Sequence, residues 1–206
     1  MPSNSALTSE PDVNLRPVRS GPIEFGLIDL NALPDRREKG TMMMPTTISI
    51  EDADLGTASI RRELIRLVEA FAVVSEVTLR TGHAEALDHL LQTHPTVFLL
   101  LARDEQGRAV GYALCQKTIS SFEGAPSVNL HDIYLEESLR GQGVGRRMIA
   151  RVEEMARAMG CRKITLEVDR ENTGAQRLYR ALGFADGSSD RDGDGCWFWR
   201  KMIADD

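Results

Sequence analysis

A glycine-rich turn between a strand and a strongly amphipathic helix constrains this chain more than any other feature. The turn spans 140–145 with the sequence RGQGVG, and the helix that follows continues to Met159. Glycines allow backbone conformations and close approaches that a side chain would prevent. The free N–H groups at the start of a helix attract an anion, and the helix dipole favours negative charge there. The turn is therefore predicted to hold a diphosphate, with Arg140, Arg146 and Arg147 adding positive charge nearby.

Two common phosphate-binding motifs do not fit this turn. No Gly-Lys-Ser/Thr sequence follows it, as a Walker loop would require. Gly141 and Gly143 match the start of a dinucleotide-binding fingerprint, but Arg146 stands where the third glycine belongs. An ordinary loop before a helix remains as the alternative, and a second motif is needed to decide against it.

The remaining pattern of helices and strands is typical of an α/β or α+β protein built around a mixed sheet. Strands are predicted at 46–50, 96–103, 109–119, 128–135, 164–168 and 196–203, where β-branched and apolar residues cluster. Helices are predicted at 51–74, 83–91, 145–159 and 172–182, where apolar residues recur at helical spacing. The second and third strands are separated by a short turn and are interpreted as a hairpin.

Residues 1–44 differ from the rest because they contain scattered prolines and apolar residues without a clear period. We interpret them as a flexible N-terminal extension that precedes one domain at 45–206. Met42, Met43 and Met44 are candidate translation starts. We expect no secretory signal, and the longest apolar run, at 97–102, is too short to span a bilayer.

Composition narrows the classes of function. The formal net charge is −6 and the isoelectric point is about 5.3, which argues against a nucleic-acid partner and suits a cationic substrate. Cys115, Cys161 and Cys196 form no CxxC pair and no zinc pattern with the four histidines, so we expect reduced thiols in a cytoplasmic protein. The segment 190–195 matches the opening of an EF-hand loop, but Lys201 replaces the required glutamate, and no metal is expected.

A second motif lies downstream of the glycine turn. The pattern Arg-x-x-Gly-x-Gly at 140–145 resembles motif A of the GNAT family of N-acetyltransferases. The pattern Asn-x-x-Ala-x-x-x-Tyr at 172–179, followed by Leu-Gly-Phe at 182–184, is similar to its motif B. The resemblance extends over 46–203 and is densest around these motifs. It implies a mixed, splayed sheet flanked by helices, with acetyl-CoA in the gap between the strands at 128–135 and 164–168.

The resemblance also implies roles for single residues. The residues expected to hold acetyl-CoA are Ile133, Tyr134, Leu135, Arg140, Gly141, Gln142, Gly143, Val144, Gly145, Arg146 and Asn172. The strand residues would pair with the pantetheine arm, and an N–H group near Leu135 would polarise the thioester carbonyl. Tyr179 is the expected general acid for the departing thiolate, because a phenol keeps its proton at pH 7.

The general base is left open between two neighbouring candidates. His131 and Asp132 lie on the strand beside the expected reaction centre. Successive strand residues point to opposite faces, so only one of them faces the substrate unless the strand bulges. Family members often carry acidic residues here; His131 departs from this, although an imidazole titrates near neutrality. A structural hydrogen bond is the competing interpretation for each.

The sequence thus predicts an acetyl-CoA-dependent N-acetyltransferase that works by direct attack of a primary amine. An acyl-enzyme is disfavoured because no cysteine lies in the motifs beside a base. The expected acceptor is a small cationic molecule or a peptide, with no nucleic-acid or membrane partner and with a homodimer left open. The alternative is a non-catalytic acyl-CoA-binding sensor or interaction module.

Overall fold

The computed structural model describes residues 47–186 and 196–203, whose strands form a seven-stranded mixed sheet. The strands are β1 Ser49–Ala53, β2 Val97–Arg103, β3 Ala109–Ser120, β4 Ala125–Leu135, β5 Lys163–Asp169, β6 Ala185–Asp186 and β7 Cys196–Met202. The α-helices are α1 Ala58–Val74, α2 His83–Thr93, α3 Val144–Ala158 and α4 Thr173–Ala181. The strand order is β1-β2-β3-β4-β5-β7-β6. The segments 1–44 and 190–195, on which the sequence allowed predictions, lie outside the described residues.

The boundary between the strand predicted at 46–50 and the helix predicted at 51–74 is wrong. The helix was expected from Glu51, but Ser49–Ala53 forms β1, which pairs antiparallel with β2. The helix begins only at Ala58, after a turn in which the Asp54 carboxylate accepts a hydrogen bond from the Gly56 N–H at 2.9 Å. Pairing with β2 therefore overrides the helical spacing of these residues.

The other predicted helices and the β2–β3 hairpin are confirmed to within a few residues. The hairpin turn is closed by a hydrogen bond of 2.9 Å from the Gly107 N–H to the Asp104 carbonyl. Gly107 has a φ of +77°, which a side chain would disfavour. The fourth strand starts at Ala125, earlier than predicted, because it continues as the partner of β3 up to Ser120.

The sheet buries a separate apolar cluster on each face. Residues of α3, including Met148, Ile149 and Val152, pack with β5 and β7 on one face. On the other face, Leu64 and Leu67 of α1 pack against β2 and β3. A fully buried side chain of this size contributes roughly 1.5–3 kcal/mol. Among the helices of the described part, none is long and apolar enough to cross a membrane.

The sheet splays open between β4 and β5, the one parallel pair among the described strands. These strands pair only over Val128–Leu130 and Ile164–Leu166. Beyond Leu130, β4 continues to pair with β3, whereas β5 continues with β7. The predicted mixed, splayed sheet is confirmed, and the β4 edge from His131 to Leu135 faces the gap without a strand partner on that side.

Candidate active site

A cavity of about 590 Å³ lies where β4 and β5 separate. Its walls come from β4, the glycine turn, the start of α3, one face of α4 and the C-terminal end of α1. The predicted site residues that line it are His131, Asp132, Ile133, Leu135, Arg140, Gly141, Gly143, Val144, Gly145, Arg146, Asn172 and Tyr179. Tyr134 and Gln142 are not among the lining residues. The fold thus brings two sequence motifs that are distant along the chain to one cavity.

The glycine turn needs glycine at two positions for a backbone reason. Gly141 and Gly143 have φ angles of +73° and +79°, in the left-handed region. A Cβ atom at either position would meet no atom within 4 Å beyond its own chain neighbours, so the space beside them is open. Gly143 is the N-cap of α3, and the first N–H groups of this helix, at 144–146, have no intrahelical partner. The turn therefore presents unpaired donors to the cavity.

The three arginines near the turn have different surroundings. Arg146 lines the cavity and makes no ion pair or side-chain hydrogen bond with another described residue. Arg140 also lines the cavity, and its Nε donates to the Leu135 carbonyl at 3.4 Å. Arg147 instead donates to the Ile48 carbonyl at 2.6 Å and is not a lining residue. Of these three arginines, only Arg146 and Arg140 can supply positive charge to an anion in the cavity.

Helix α4 carries Asn172 and Tyr179 to the opposite wall. Asn172 caps the helix, with its side-chain oxygen accepting from the Ala175 N–H at 2.9 Å. Seven residues along, Tyr179 lies on the same side of the helix and is 6% exposed. Its ring packs against Phe184 and meets Trp199 edge-on, with centroid separations of 5.8 and 6.4 Å. The packing holds the phenol in a defined orientation.

Burial of Tyr179 has a direct chemical consequence. It raises the pKa of the phenol well above its usual value. The hydroxyl therefore keeps its proton at neutral and moderately alkaline pH. Tyr179 is suited to donate a proton in the cavity and unsuited to act as a base.

Both candidate bases line the cavity, next to a bulge in β4. Leu114 of β3 pairs with Asp132, whereas the next residue, Cys115, pairs with Leu130. His131 is the extra residue between them, and the usual alternation of faces is interrupted there. His131 and Asp132 therefore both contribute to the cavity wall. His131 is exposed, whereas Asp132 is half-buried.

The Asp132 carboxyl lies in an environment that favours its protonated form. Burial raises the pKa of this carboxyl, and the neighbouring His131 and the Tyr112 hydroxyl oppose that rise. Burial and the charge of Asp132 in turn raise the pKa of the Tyr112 phenol. Tyr112 is fully buried and lines the cavity. A carboxylate with a raised pKa is a stronger base than an exposed one.

Sequence reasoning missed one end of the cavity. Its lining residues there are Val68, Phe71, Ala72, Ser75, Val77, Leu79 and Tyr112. They come from the last turns of α1, the segment after it and β3. Val68 and Phe71 belong to the apolar stripe of α1, which helical core residues share, and no motif marks the other residues.

This fold and cavity define a transferase of the acyl-CoA N-acyltransferase type. A family model described as the acetyltransferase (GNAT) family matches residues 64–184. The chain belongs to this family and is an N-acetyltransferase. The expectations of family, fold and enzyme class are confirmed.

Similar proteins differ in the acceptor that their names give. An aminoglycoside N(6')-acetyltransferase type 1 from Serratia marcescens is 37% identical over 106 residues, which are 50% of this chain and 71% of the relative. A thialysine N-epsilon-acetyltransferase from Bos taurus is 40% identical over 145 residues, which are 68% of this chain and 85% of the relative. A crystal structure of a GNAT acetyltransferase from Staphylococcus aureus Mu50 superposes with a TM-score of 0.62 at 14% identity. It covers 77% of this chain and 100% of its own, and it supports the fold alone.

Proposed function

We propose that this enzyme transfers the acetyl group of acetyl-CoA directly to a primary amine of a small cationic molecule or a peptide. The observation that carries the proposal is one cavity that joins the glycine turn, Tyr179 and the His131–Asp132 bulge. The family uses acetyl-CoA, and both relatives are named for acetylation of an amine. The net charge of −6 favours a cationic acceptor.

The cavity offers groups that suit both the diphosphate and the pantetheine arm of acetyl-CoA. The open space beside Gly141 and Gly143, together with the unpaired N–H groups of 144–146, suits the diphosphate. Arg140 and Arg146 supply the positive charge. Ile133 to Leu135 offer backbone groups along the splayed edge of β4, where the pantetheine amides would pair. Asn172 lines the same cavity and would bind the same arm through its amide.

Two predicted cofactor residues would act through their backbone only. The Tyr134 ring stacks on Phe71 with a centroid separation of 5.5 Å, in the apolar cluster on the α1 face of the sheet. The Gln142 side chain donates to the Ser138 carbonyl at 2.6 Å. Substituting either side chain is therefore expected to affect acetyl-CoA affinity less than substituting Gly143.

The proposed chemistry uses three groups of the chain in sequence. Acetyl-CoA supplies an activated thioester. Asp132, with His131 as the second candidate, accepts a proton from the acceptor ammonium, directly or through water, and leaves a neutral amine. The amine nitrogen then bonds to the thioester carbonyl carbon, and an N–H group near Leu135 stabilises the oxyanion. The carbon–sulfur bond breaks and Tyr179 gives its proton to the departing thiolate, while the second proton shed by the new amide nitrogen restores the phenol.

The test is acetyl transfer to a panel of lysine derivatives, polyamines, aminoglycosides and basic peptides. CoA release is followed with a thiol reagent and the acetylated product by mass spectrometry, with acetyl-CoA binding measured separately by calorimetry. Amine-dependent release with a matching product supports the proposal. Tight acetyl-CoA binding without any acetylated product would instead favour a non-catalytic acyl-CoA sensor.

The bounds of the domain and its location in the cell are also part of the proposal. We propose a flexible extension at 1–44, one domain at 45–206 and a cytoplasmic location with reduced thiols. Limited proteolysis with mass spectrometry tests the boundary, since a stable fragment should begin near 45. Sedimentation of the intact protein determines whether it is a monomer or a homodimer.

A further inference from the structure

The cavity continues past the His131–Asp132 bulge into an apolar end. Val68, Phe71 and Ala72 come from the last turns of α1, and Val77 and Leu79 come from the segment after it. These side chains offer no hydrogen-bonding group. A hydroxyl-rich acceptor placed here would lose hydrogen bonds to water without replacement, whereas methylene groups would gain from burial.

Two buried hydroxyl groups at this end have no hydrogen-bond partner at normal distance among the described residues: the phenol of Tyr112 and the hydroxyl of Ser75. The Tyr112 phenol nevertheless lies close enough to the Asp132 carboxyl for each group to shift the pKa of the other. Tyr112 is fully buried, and both residues line the cavity. A buried hydroxyl that forms no hydrogen bond costs roughly 1–3 kcal/mol, and native structures contain few of them. Two at one end of one cavity indicate a polar ligand group that they bind.

The position of Ser75 is set by the way α1 ends. The Glu76 N–H donates to the Val73 carbonyl at 3.3 Å, and the Val77 N–H donates to the Ala72 carbonyl at 2.9 Å. Glu76 adopts a φ of +56°, as the residue after a helix C-cap does in this type of turn. The turn places Ser75 and Val77, on either side of Glu76, in the cavity wall.

The polar groups at this end match the hydrogen-bonding pattern of an amine. The Asp132 carboxylate and the Tyr112 and Ser75 oxygens are all able to accept hydrogen bonds. A primary ammonium carries three N–H donors and no acceptor. An amine nitrogen bound among them would lie beside the proposed base, with the rest of its molecule against the apolar wall.

We propose that this end of the cavity is a slot for a primary amine carried on an unbranched alkyl chain, with Tyr112 and Ser75 as specificity-determining residues. The two hydroxyls and Asp132 bind the nitrogen, and the alkyl chain lies along Val68, Phe71 and Val77. This inference rests on the proposed function and narrows its acceptor, because a hydroxyl-rich sugar amine would fit the slot poorly.

The test compares acceptors under saturating acetyl-CoA. The kcat/KM of the wild-type enzyme is measured for primary n-alkylamines from ethylamine to hexylamine, for lysine and for kanamycin, a hydroxyl-rich aminoglycoside. Each added methylene is expected to raise kcat/KM about two- to fourfold until the slot is filled. Kanamycin is expected to be used at least about tenfold less well than hexylamine.

Three variants of the slot and two matched controls locate the effect. Tyr112→Phe and Ser75→Ala are each expected to raise the KM for the amine about three- to tenfold and to leave the KM for acetyl-CoA unchanged. Ser59→Ala, at the exposed start of α1, is the control for the serine and should change neither. Val68→Thr should flatten the dependence on chain length, whereas Val73→Thr, at a position 77% exposed on the same helix, should not.

The outcomes separate this inference from the proposed function. Acetyl transfer that is independent of alkyl chain length, or that is as fast with kanamycin as with hexylamine, overturns the slot and leaves the proposed function standing. An unchanged amine KM in both Tyr112→Phe and Ser75→Ala, with melting temperatures near wild type, also overturns it. Failure to acetylate any amine overturns both.

Discussion

Asp132 lies on the same face of the sheet as Tyr112, because it pairs with Leu114, which is two residues from Tyr112 along β3. The pairing of Leu114 with Asp132 and of Cys115 with Leu130 leaves His131 without an opposite residue on β3. Both candidate bases line the cavity, as their neighbours Leu130 and Ile133 do. The bulge stands at the point where β4 separates from β5, so both bases lie at the open gap.

The first prediction assigns the general base. Asp132→Asn should lower kcat about 10²- to 10⁴-fold, because the amide keeps the shape of the carboxyl but cannot accept the proton. A base must be deprotonated to act, so wild-type kcat/KM should rise with pH through the raised pKa of Asp132. His131→Gln should have the smaller effect on kcat and should retain this acid limb. Loss of the limb in His131→Gln alone would assign the base to His131.

The second prediction concerns the general acid. Tyr179→Phe should keep the affinity for acetyl-CoA and lower turnover about 10²- to 10⁴-fold, since only the proton donor is removed. Calorimetric binding and CoA release measure the two effects separately. Because burial raises the pKa of the phenol, wild-type turnover should not decline through its ionisation at moderately alkaline pH. Turnover of Tyr179→Phe within threefold of wild type would rule out this role.

The third prediction separates the binding role of the turn from its backbone strain. Gly143→Ala and Gly160→Ala both place a side chain at a positive φ, +79° and +69°, with no protein atom within 4 Å of the new Cβ. Each should lower the free energy of unfolding by about 1–2 kcal/mol, as measured by urea titration. Only Gly143→Ala should also weaken acetyl-CoA binding, about tenfold or more, because Gly160 lies after α3 and outside the cavity. Equal acetyl-CoA affinities in the two variants would contradict the proposed diphosphate site.

The fourth prediction concerns stability and pH at the contact between α3 and β7. Burial disfavours ionisation of Glu153, but the hydrogen bonds from Lys201 and Arg157 outweigh it and lower the pKa of this carboxyl. A carboxyl with a lowered folded-state pKa stabilises the protein above its unfolded-state pKa and loses that contribution as pH falls through the folded-state value.

Glu153→Gln should therefore lower the free energy of unfolding by about 1 kcal/mol at neutral pH, and the difference from wild type should vanish in acid. Glu154→Gln is the matched control. The Glu154 side chain is 65% exposed and pairs only with Arg151 among the described residues, so its removal should cost about 0.5 kcal/mol or less. A Glu153→Gln deficit that persists unchanged in acid would show that the carboxylate charge is not its cause.

The parts of the site that sequence reasoning predicted are those with local signals. The glycine turn is recognisable because positive φ angles at 141 and 143 demand glycine, and the helix after it has a clear apolar stripe. Asn172 and Tyr179 are recognisable because their pattern resembles motif B of the GNAT family, and an N-cap and a helical spacing place them on one side of α4. Each of these signals lies within a single element and its ends.

The parts that were missed depend on contacts between distant segments. The β4 bulge is defined by pairing with β3, and no local residue pattern marks His131 as the extra residue. The start of α1 was misplaced because 49–53 pair with β2, nearly fifty residues away. Ser75 and Tyr112 meet one cavity only in the folded chain. Helical spacing could not reveal these features, because it indicates which residues are buried but not which distant segments or cavities they contact.

The central claim is tested most directly by acetyl transfer in the wild-type protein and in Tyr179→Phe. We expect a primary alkylamine added to the wild type with acetyl-CoA to cause release of CoA and formation of N-acetylated amine in equal amounts. We also expect Tyr179→Phe to bind acetyl-CoA with wild-type affinity yet to form product at least about a hundredfold more slowly. Tight binding of acetyl-CoA by the wild type with no acetylated product from any amine would contradict the account.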